Sequence, residues 1–345
     1  MTTNPCGLVY DQALTENKAE QVTIETVHYQ NNGIEIAANL YKPAGYSVDK
    51  TYPAITVAHP NGGVKEQVAG YFAQKLAEAG YITIAADAAY QGASGGQPRN
   101  RDYPAHRVED IRAMADYLET VVGVDKDKIG ALGICGGGGY TIEAAKTDKR
   151  FKAVATVSMF NSGRVRRNGF LDSQLDSIQD RLQDAAKART KYVTTGEVDY
   201  VGQYLPGKLT LSKEQLEAIP AGLYREGTEY YGDRYYHPNS QSWYTTESLS
   251  HLMAFDAEDR VDLINQPLLM IAGKDADTRY MTDAVFEKAV NTVNKELYLI
   301  DGASHIQTYW KEPYVTQESE KLIEFFDQYL DSVSYTHLTL PTKRI

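Results

Sequence analysis

Short apolar runs alternate with helical patterns along most of this chain, and this alternation limits the possible folds more than any other feature of the sequence. Residues 54–58 form an apolar run typical of a buried strand, and residues 68–77 then carry apolar side chains at helical spacing. The succession repeats, with further strands predicted at residues 81–86, 129–134, 153–158, 268–272 and 297–300 and further helices at residues 108–121, 136–146, 281–290 and 314–330. Strands that alternate with helices of this size predict an α/β fold with a doubly wound, mostly parallel sheet.

Two segments interrupt this pattern. Residues 22–27 and 34–41 alternate with period two around the turn signal Asn31-Asn32-Gly33, which predicts an antiparallel hairpin. Between residues 161 and 259 the sequence is polar, helical and rich in tyrosine, so we expect a helical insertion, called the cap below. The predicted organisation is therefore an α/β core at residues 20–160 and 260–331 with a cap at residues 161–259. Residues 332–345 resemble translated sequencing-adapter DNA, and we expect them to be a non-native tail.

The overall charge and the cysteine count narrow the possible partners. A formal net charge of −11 repels phosphate, which argues against nucleic acids and anionic membranes as partners. The first residues lack the features of a signal peptide and no apolar run is long enough to span a bilayer, so we expect a cytoplasmic protein. Cys6 and Cys135 show no metal-binding spacing. We predict no metal and no cofactor, and a small-molecule substrate; the oligomeric state stays open.

The strongest chemical signal is the sequence Gly133-Ile134-Cys135-Gly136-Gly137, directly after a predicted strand and directly before a predicted helix. This is the pattern of a nucleophile elbow, with cysteine in the usual place of serine. The glycines give room to a strained turn, and the helix N-terminus favours a thiolate, so we expect an activated thiol at Cys135. The alternatives are a buried structural cysteine or a phosphate-binding loop, although no Gly-Lys-Ser/Thr follows.

A nucleophile in such an elbow needs a histidine and an acid later in the chain. His305 follows the strand predicted at residues 297–300, at the edge of the sheet where catalytic groups of open α/β sheets gather. The acid should follow the strand at residues 268–272, where Asp275 and Asp277 are both candidates. We expect His305 to lower the pKa of the Cys135 thiol further.

An acyl-transfer site also needs backbone N–H groups that stabilise an oxyanion. Gly136, the residue after the nucleophile, is predicted to provide one of them. The loop after the strand at residues 54–58 should provide the other, from Asn61 or Gly62. The cap would then cover this site, and its tyrosines Tyr230, Tyr231 and Tyr235 are candidates for substrate binding. A surface subdomain that never contacts substrate is the alternative.

With these motifs, the chain resembles the dienelactone-hydrolase-like branch of the α/β-hydrolases, and within it the capped bacterial hydrolases related to fungal polyketide transferases. The resemblance covers roughly residues 20–331 and depends on the sequences at residues 59–67, 87–92, 98–99, 107–111, 133–135, 276–279 and 302–305. It implies an α/β-hydrolase fold with a helical cap. It also favours Asp277 over Asp275 as the acid, because the Ala-Asp-Thr-Arg stretch recurs in that branch. The chain differs from dienelactone hydrolase itself in having the cap and in having Pro60 where that enzyme has a glutamate.

The function predicted from these residues is hydrolysis of an ester, lactone or thioester through a Cys135–His305–Asp277 triad and an acyl-enzyme. Acyl transfer by the same triad, as in the polyketide transferases, is an alternative, since thioester intermediates suit transfer to other nucleophiles. A non-catalytic protein that binds a small molecule on a hydrolase fold is the alternative from another class.

Overall fold

The computed structural model describes residues 6–203 and 207–330. Its strands are β1 (Thr23–Asn31), β2 (Ile34–Lys42), β3 (Tyr52–Ala58), β4 (Ile82–Ala86), β5 (Val124–Ile134), β6 (Phe151–Val157), β7 (Tyr200–Gln203), β8 (Ser242–Thr245), β9 (Leu268–Gly273) and β10 (Lys295–Ile300). Eight of them form one sheet in the order β1-β2-β4-β3-β5-β6-β9-β10, and β7 pairs with β8 separately. The predicted tail, residues 332–345, lies outside the described residues.

The pairing within the large sheet confirms the predicted fold class. β1 and β2 form the expected antiparallel hairpin, with Asn31 opposite Ile34 at its turn, and β2 lies antiparallel to β4. All further neighbours in the sheet, from β4 through β3, β5, β6 and β9 to β10, run parallel. β3, β4 and β9 are buried almost throughout, as expected of parallel strands that have helices on both faces.

In residues 6–203 and 207–330, ten α-helices connect these strands or belong to the cap. They are α1 (Val68–Glu78), α2 (Pro104–Leu118), α3 (Gly136–Thr147), α4 (Ser162–Asn168), α5 (Ile178–Thr195), α6 (Lys213–Glu217), α7 (Leu223–Glu229), α8 (Leu249–Leu252), α9 (Arg279–Lys288) and α10 (Tyr314–Tyr329). α1 packs against α10, and α2 against α3, so two helix pairs flank the sheet. The carboxyl ends of β3, β5, β9 and β10 meet at one edge of the sheet, and their loops form the site described below.

The cap lies between β6 and β9 in the chain, and the part of it that the structure describes contributes no strand to the large sheet. It contains α4 to α8, but it is not wholly helical, because β7 and β8 pair as a small antiparallel ladder with Tyr200 opposite Thr245. The two strands are about forty residues apart in the chain, and each has only four residues. A local pattern in the sequence cannot indicate such a pairing, because the partner of each strand lies far away.

Candidate active site

Cys135 lies on a strained turn between β5 and α3. Its backbone has φ 54° and ψ −123°, a left-handed conformation that is uncommon for a residue with a side chain and typical of a nucleophile elbow. The second residue of α3 has to be glycine, because a Cβ on Gly137 would lie 2.5 Å from the carbonyl oxygen of Ala58. The turn therefore fixes the cysteine at the carboxyl edge of the sheet, where the side chain lines a cavity.

The two residues predicted to form an oxyanion hole lie on either side of the thiol. The backbone N–H groups of Gly136 and Asn61 both form hydrogen bonds to Cys135. A side chain on Gly136 would overlap the amide of Asn61, so this close approach requires glycine. The Asn61 amide also donates to the Ser162 hydroxyl over 2.8 Å. Gly62, the alternative donor, instead uses its carbonyl oxygen to accept hydrogen bonds from the cap.

The thiol is less acidic than the sequence led us to expect. Burial raises the pKa of Cys135, because a thiolate loses its hydration in this position. The hydrogen bonds that the thiolate form accepts from the Tyr309 hydroxyl and from the two backbone N–H groups, together with the positive charge of Arg166, lower the pKa but do not reverse the shift. The pKa of Cys135 is therefore shifted in the direction opposite to that expected of an activated thiol.

His305 is completely buried and is bonded to two hydroxyl groups. Its Nδ1 lies 2.6 Å from Oγ1 of Thr278, and its Nε2 lies 2.8 Å from the hydroxyl oxygen of Tyr309. Since Tyr309 also forms a hydrogen bond with Cys135, its hydroxyl links the imidazole to the thiol. Burial lowers the pKa of His305 to about 3, since no carboxylate compensates for the loss of water around the charged ring.

The structure does not place either predicted acid on His305. Oδ2 of Asp277 accepts a hydrogen bond of 2.9 Å from the backbone N–H of Leu223, the first residue of α7, and Asp275 is exposed. The physical reason is that Gly222, the residue before α7, has no side chain to satisfy the N–H groups at the start of this helix. The Asp277 carboxylate accepts a hydrogen bond from one of these N–H groups instead. Thr278, and not an acid as predicted from the sequence, bonds to Nδ1 of the imidazole.

The cap is bonded directly to the loops that carry the candidate site. In addition to the contact between Asp277 and α7, the Ser304 hydroxyl donates a hydrogen bond to the Glu226 carboxylate of α7. On the other side of the cavity, the carbonyl oxygen of Gly62 accepts hydrogen bonds from the Ser240 hydroxyl at 2.7 Å and from the Gln241 backbone N–H at 3.0 Å. These contacts hold the cap over Cys135.

Core and cap together enclose a cavity of about 280 Å³ that includes the thiol. The core residues that line it are Asn61, Gly62, Gln91, Asn100, Asp102, Cys135, Phe160, Ile306 and Tyr309, and the cap residues are Arg166, Val201, Gly202, Leu223, Tyr224, Gly227, Thr228, Tyr231, Gln241, Ser242, Trp243 and Tyr244. More than half of the wall therefore comes from the cap, as expected if the cap contributes to substrate binding.

Of the three tyrosines predicted to bind substrate, only Tyr231 lines this cavity. Tyr230 packs with its ring 5.4 Å from that of Tyr309 and lines a smaller cavity of about 70 Å³ together with Tyr235. The hydroxyl of Tyr235 donates a hydrogen bond of 2.7 Å to Asp11 and so connects the cap to the N-terminal segment. The periodicity of the sequence did not indicate which tyrosines face the cavity, because the chain passes through a π-helical turn at Tyr230–Arg234.

Sequence reasoning missed Thr278 and Tyr309. Both lie close in sequence to predicted site residues. Thr278 directly follows Asp277, and Tyr309 ends the short 3₁₀-helix Ile306–Tyr309 that begins after His305. That helix turns Tyr309 back toward the imidazole. Their hydroxyl groups gave no chemical reason to single them out among the many others in the chain.

Residues 6–203 and 207–330 contain no group of three or more His, Cys, Asp or Glu side chains placed to hold a metal ion. Within the same residues no helix is both long and apolar enough to cross a membrane.

Residues 36–201 match the model of a protein family described as the dienelactone hydrolase family. Among curated proteins, the chain is 38% identical over 304 residues to the uncharacterized protein YcjY of Escherichia coli K12, an alignment that covers 87% of this chain and 96% of that protein.

Solved structures show the same fold. The crystal structure of the hypothetical protein PA2218 from Pseudomonas aeruginosa has a TM-score of 0.79 and 32% sequence identity, covering 90% of this chain and 95% of that one. The α/β hydrolase GrgF from Penicillium has a TM-score of 0.73 at 19% identity, covering 90% of this chain and 99% of that one. The second likeness supports the fold alone.

Proposed function

Because this chain belongs to the dienelactone hydrolase family and has the α/β-hydrolase fold, we propose that it hydrolyses an ester, lactone or thioester with Cys135 as nucleophile. The observation that carries this proposal is the position of the thiol in a cavity, on a left-handed elbow, with the N–H groups of Asn61 and Gly136 directed at it. The same N–H groups would stabilise the oxyanion that forms when sulfur attacks an acyl carbon.

His305 is the proposed base, and it takes up the proton of the Cys135 thiol by way of the Tyr309 hydroxyl. As sulfur bonds to the acyl carbon, the thiol proton passes to the Tyr309 oxygen and the Tyr309 proton passes to Nε2 of His305. The products of this step are a tetrahedral oxyanion, an imidazolium and an unchanged tyrosine. When the intermediate collapses, the proton returns by the same route to the leaving alcohol or thiol, and a thioester to Cys135 remains. Water then attacks this thioester, with the same groups reversing their roles, and releases the acid.

The buried surroundings favour an uncharged resting pair. Burial raises the pKa of the Cys135 thiol and lowers that of His305, so a thiol and a neutral imidazole are the stable forms. Charge then develops only when the acyl carbon is attacked, at the moment when the two N–H groups can stabilise it. The interaction is thereby stronger in the transition state than in the ground state.

The test compares Cys135→Ala with Cys6→Ala on p-nitrophenyl acetate, a small lactone and an aryl thioester. We expect the first variant to lose about 10³-fold or more in kcat/KM and the second to stay within about twofold. Mass spectrometry of the rapidly quenched wild-type enzyme should find the acyl group on the peptide that contains Cys135. Full activity in Cys135→Ala would refute the assignment.

Acyl transfer is distinguished in the same assay by adding a primary alcohol or a thiol. A hydrolase partitions its acyl-enzyme mainly to water, so the acid remains the main product. A transferase gives mainly the ester or thioester of the added acceptor.

A further inference from the structure

The cavity at Cys135 contains polar atoms that have no partner within the described part of the protein. Oε1 of Gln91, Oδ1 of Asp102 and Nε of Arg166 are buried, belong to residues of the cavity wall, and accept or donate no hydrogen bond. Gln91 and Asp102 are 7% and 5% exposed, so water reaches them poorly. Leaving such a group unpaired destabilises the folded protein. Several such groups on the wall of one cavity are places where a bound molecule can complete hydrogen bonds.

The nature of these atoms defines what the ligand must offer. The oxygen atoms of Gln91 and Asp102 are acceptors, and they need a hydrogen-bond donor. The Arg166 guanidinium, which lies with its Cζ 4.9 Å from the ring centroid of Tyr244, needs an acceptor and has no ion pair among the described residues. Hydroxyl groups are both donors and acceptors, and a pair of them satisfies all three atoms.

The remaining wall is aromatic. Six rings line the cavity, those of Phe160, Tyr224, Tyr231, Trp243, Tyr244 and Tyr309. Flat apolar faces of this kind favour a ring in the ligand over a flexible alkyl chain. A volume of about 280 Å³ holds one such ring together with the reacting group.

We propose that Gln91, Asp102 and Arg166 form a subsite for a hydroxylated ring, so that the substrates are acyl compounds whose acyl group carries such a ring. This rests on the proposed function for the reacting group, but the recognition itself needs no turnover. Burial raises the pKa of Asp102, with the charges of Arg107 and Arg166 acting against the shift, which agrees with a carboxyl group that lacks its hydrogen-bond donor. The subsite selects against simple alkyl esters.

Binding tests the subsite without catalysis. Methyl 3,4-dihydroxycinnamate and methyl cinnamate differ only in two hydroxyl groups and are both uncharged, so neither offers Arg166 a carboxylate. Their Kd values are measured by calorimetry with the Cys135→Ala variant, which cannot form the acyl-enzyme. We expect the dihydroxy compound to bind about tenfold or more tightly, a difference that two satisfied buried acceptors can supply.

Variants of the subsite should remove this preference. In the same Cys135→Ala background, Gln91→Leu and Asp102→Asn are expected to reduce the Kd ratio to within about threefold while methyl cinnamate binds as before. Gln91→Leu should also raise Tm, because it replaces an unpaired buried polar group by an apolar one. Thr156→Val is the matched control, since Thr156 has an unpartnered buried hydroxyl on β6 away from the cavity. It should leave the Kd ratio unchanged.

Equal binding of the two compounds, or a preference that survives both variants, would overturn the subsite. A clear preference together with full esterase activity in Cys135→Ala would leave the subsite in place and refute the proposed nucleophile instead.

Discussion

At the scale of single residues, the Tyr309 hydroxyl is the group on which the proposed chemistry most depends. It lies 2.8 Å from Nε2 of His305 and is also bonded to the thiol. Tyr309→Phe keeps the ring and removes the connection, so kcat/KM should fall by about 10²-fold or more, the usual range for loss of a proton-transfer group. Alkylation of Cys135 by iodoacetamide should slow as well, because the hydroxyl lowers the thiol pKa.

Tyr230→Phe is the control for this substitution. Tyr230 packs against the Tyr309 ring and lies outside the wall of the main cavity, so the loss of its hydroxyl should change kcat/KM by no more than about twofold. Similar losses in the two variants would show that Tyr309 acts through packing.

In the proposed mechanism, the buried imidazole also determines the pH dependence of the reaction. His305 acts as a base only when it is neutral, and burial lowers its pKa to about 3. The kcat/KM of the folded enzyme should therefore stay level from pH 7 to pH 5, instead of falling with the midpoint of about 6.5 of an ordinary histidine. Rates should be measured with a substrate that does not itself titrate, with folding followed by circular dichroism. A midpoint near 6.5 in the folded enzyme would mean that His305 gains a charged partner during catalysis.

At the scale of elements, α7 is stabilised by a carboxylate that the sequence assigned to catalysis. Asp277 bonds to the first N–H of this helix, which has no side-chain cap of its own. Asp277→Ala should lower the unfolding free energy by about 1 kcal/mol, as the loss of a helix cap does, and raise KM because α7 lines the cavity. Its kcat should fall by less than about tenfold. Asp275→Ala, at an exposed position of the same loop, is the control and should have no effect.

Thr278→Val tests whether the Thr278 hydroxyl or the Asp277 carboxylate orients the imidazole through Nδ1 of His305. If the hydroxyl orients the imidazole, this variant loses more kcat than Asp277→Ala does. If Asp277→Ala instead loses about 10⁴-fold, as expected of a triad acid, then the carboxylate leaves α7 and joins His305 during the reaction.

The comparison of sequence and structure shows which features have a local signal. The parallel strands, the hairpin and the elbow at Cys135 each follow from a pattern within about ten residues, and the structure has all three. The ladder of β7 and β8 and the bond between Asp277 and Leu223 join residues more than thirty positions apart. The two hydroxyl contacts of His305 depend on side-chain directions set by the fold. Such contacts have no periodicity that a sequence could show.

At the scale of the whole molecule, a buried carboxyl group links stability to pH. Glu318 on α10 is fully buried, neither of its oxygens has a partner in the described residues, and burial raises its pKa well above the usual range. A carboxyl group with a raised pKa favours the folded state below its unfolded pKa, and this contribution is lost as the pH rises. Glu318→Met keeps the length of the side chain without the charge. The free energy of unfolding is measured with urea at pH 5 and pH 8. The variant should exceed the wild type by a larger margin at pH 8. The margin should grow by about 1.4 kcal/mol for each pH unit between the pKa of Glu318 in the unfolded chain and its higher pKa in the folded protein.

Glu320→Met, at an exposed position of the same helix, is the control and should show no such difference between the two pH values. An equal gain at both pH values for Glu318→Met would indicate that the carboxyl group is already ionised in the folded protein, or that it has a partner when the protein is in solution.

The bonds between the cap and the loops of the candidate site limit how members of this fold can be recombined. The carbonyl oxygen of Gly62 accepts hydrogen bonds from Ser240 and Gln241, that of Asn100 accepts one from Thr245, Asp277 accepts one from Leu223, and Ser304 donates one to Glu226. The loops after β3, β4, β9 and β10 therefore each have a partner in the cap. A cap transplanted from a relative would leave these backbone and carboxylate groups unmatched. We therefore expect that exchange of substrate preference between members of this fold requires the cap and the loops after β3, β4, β9 and β10 to be transferred as one unit.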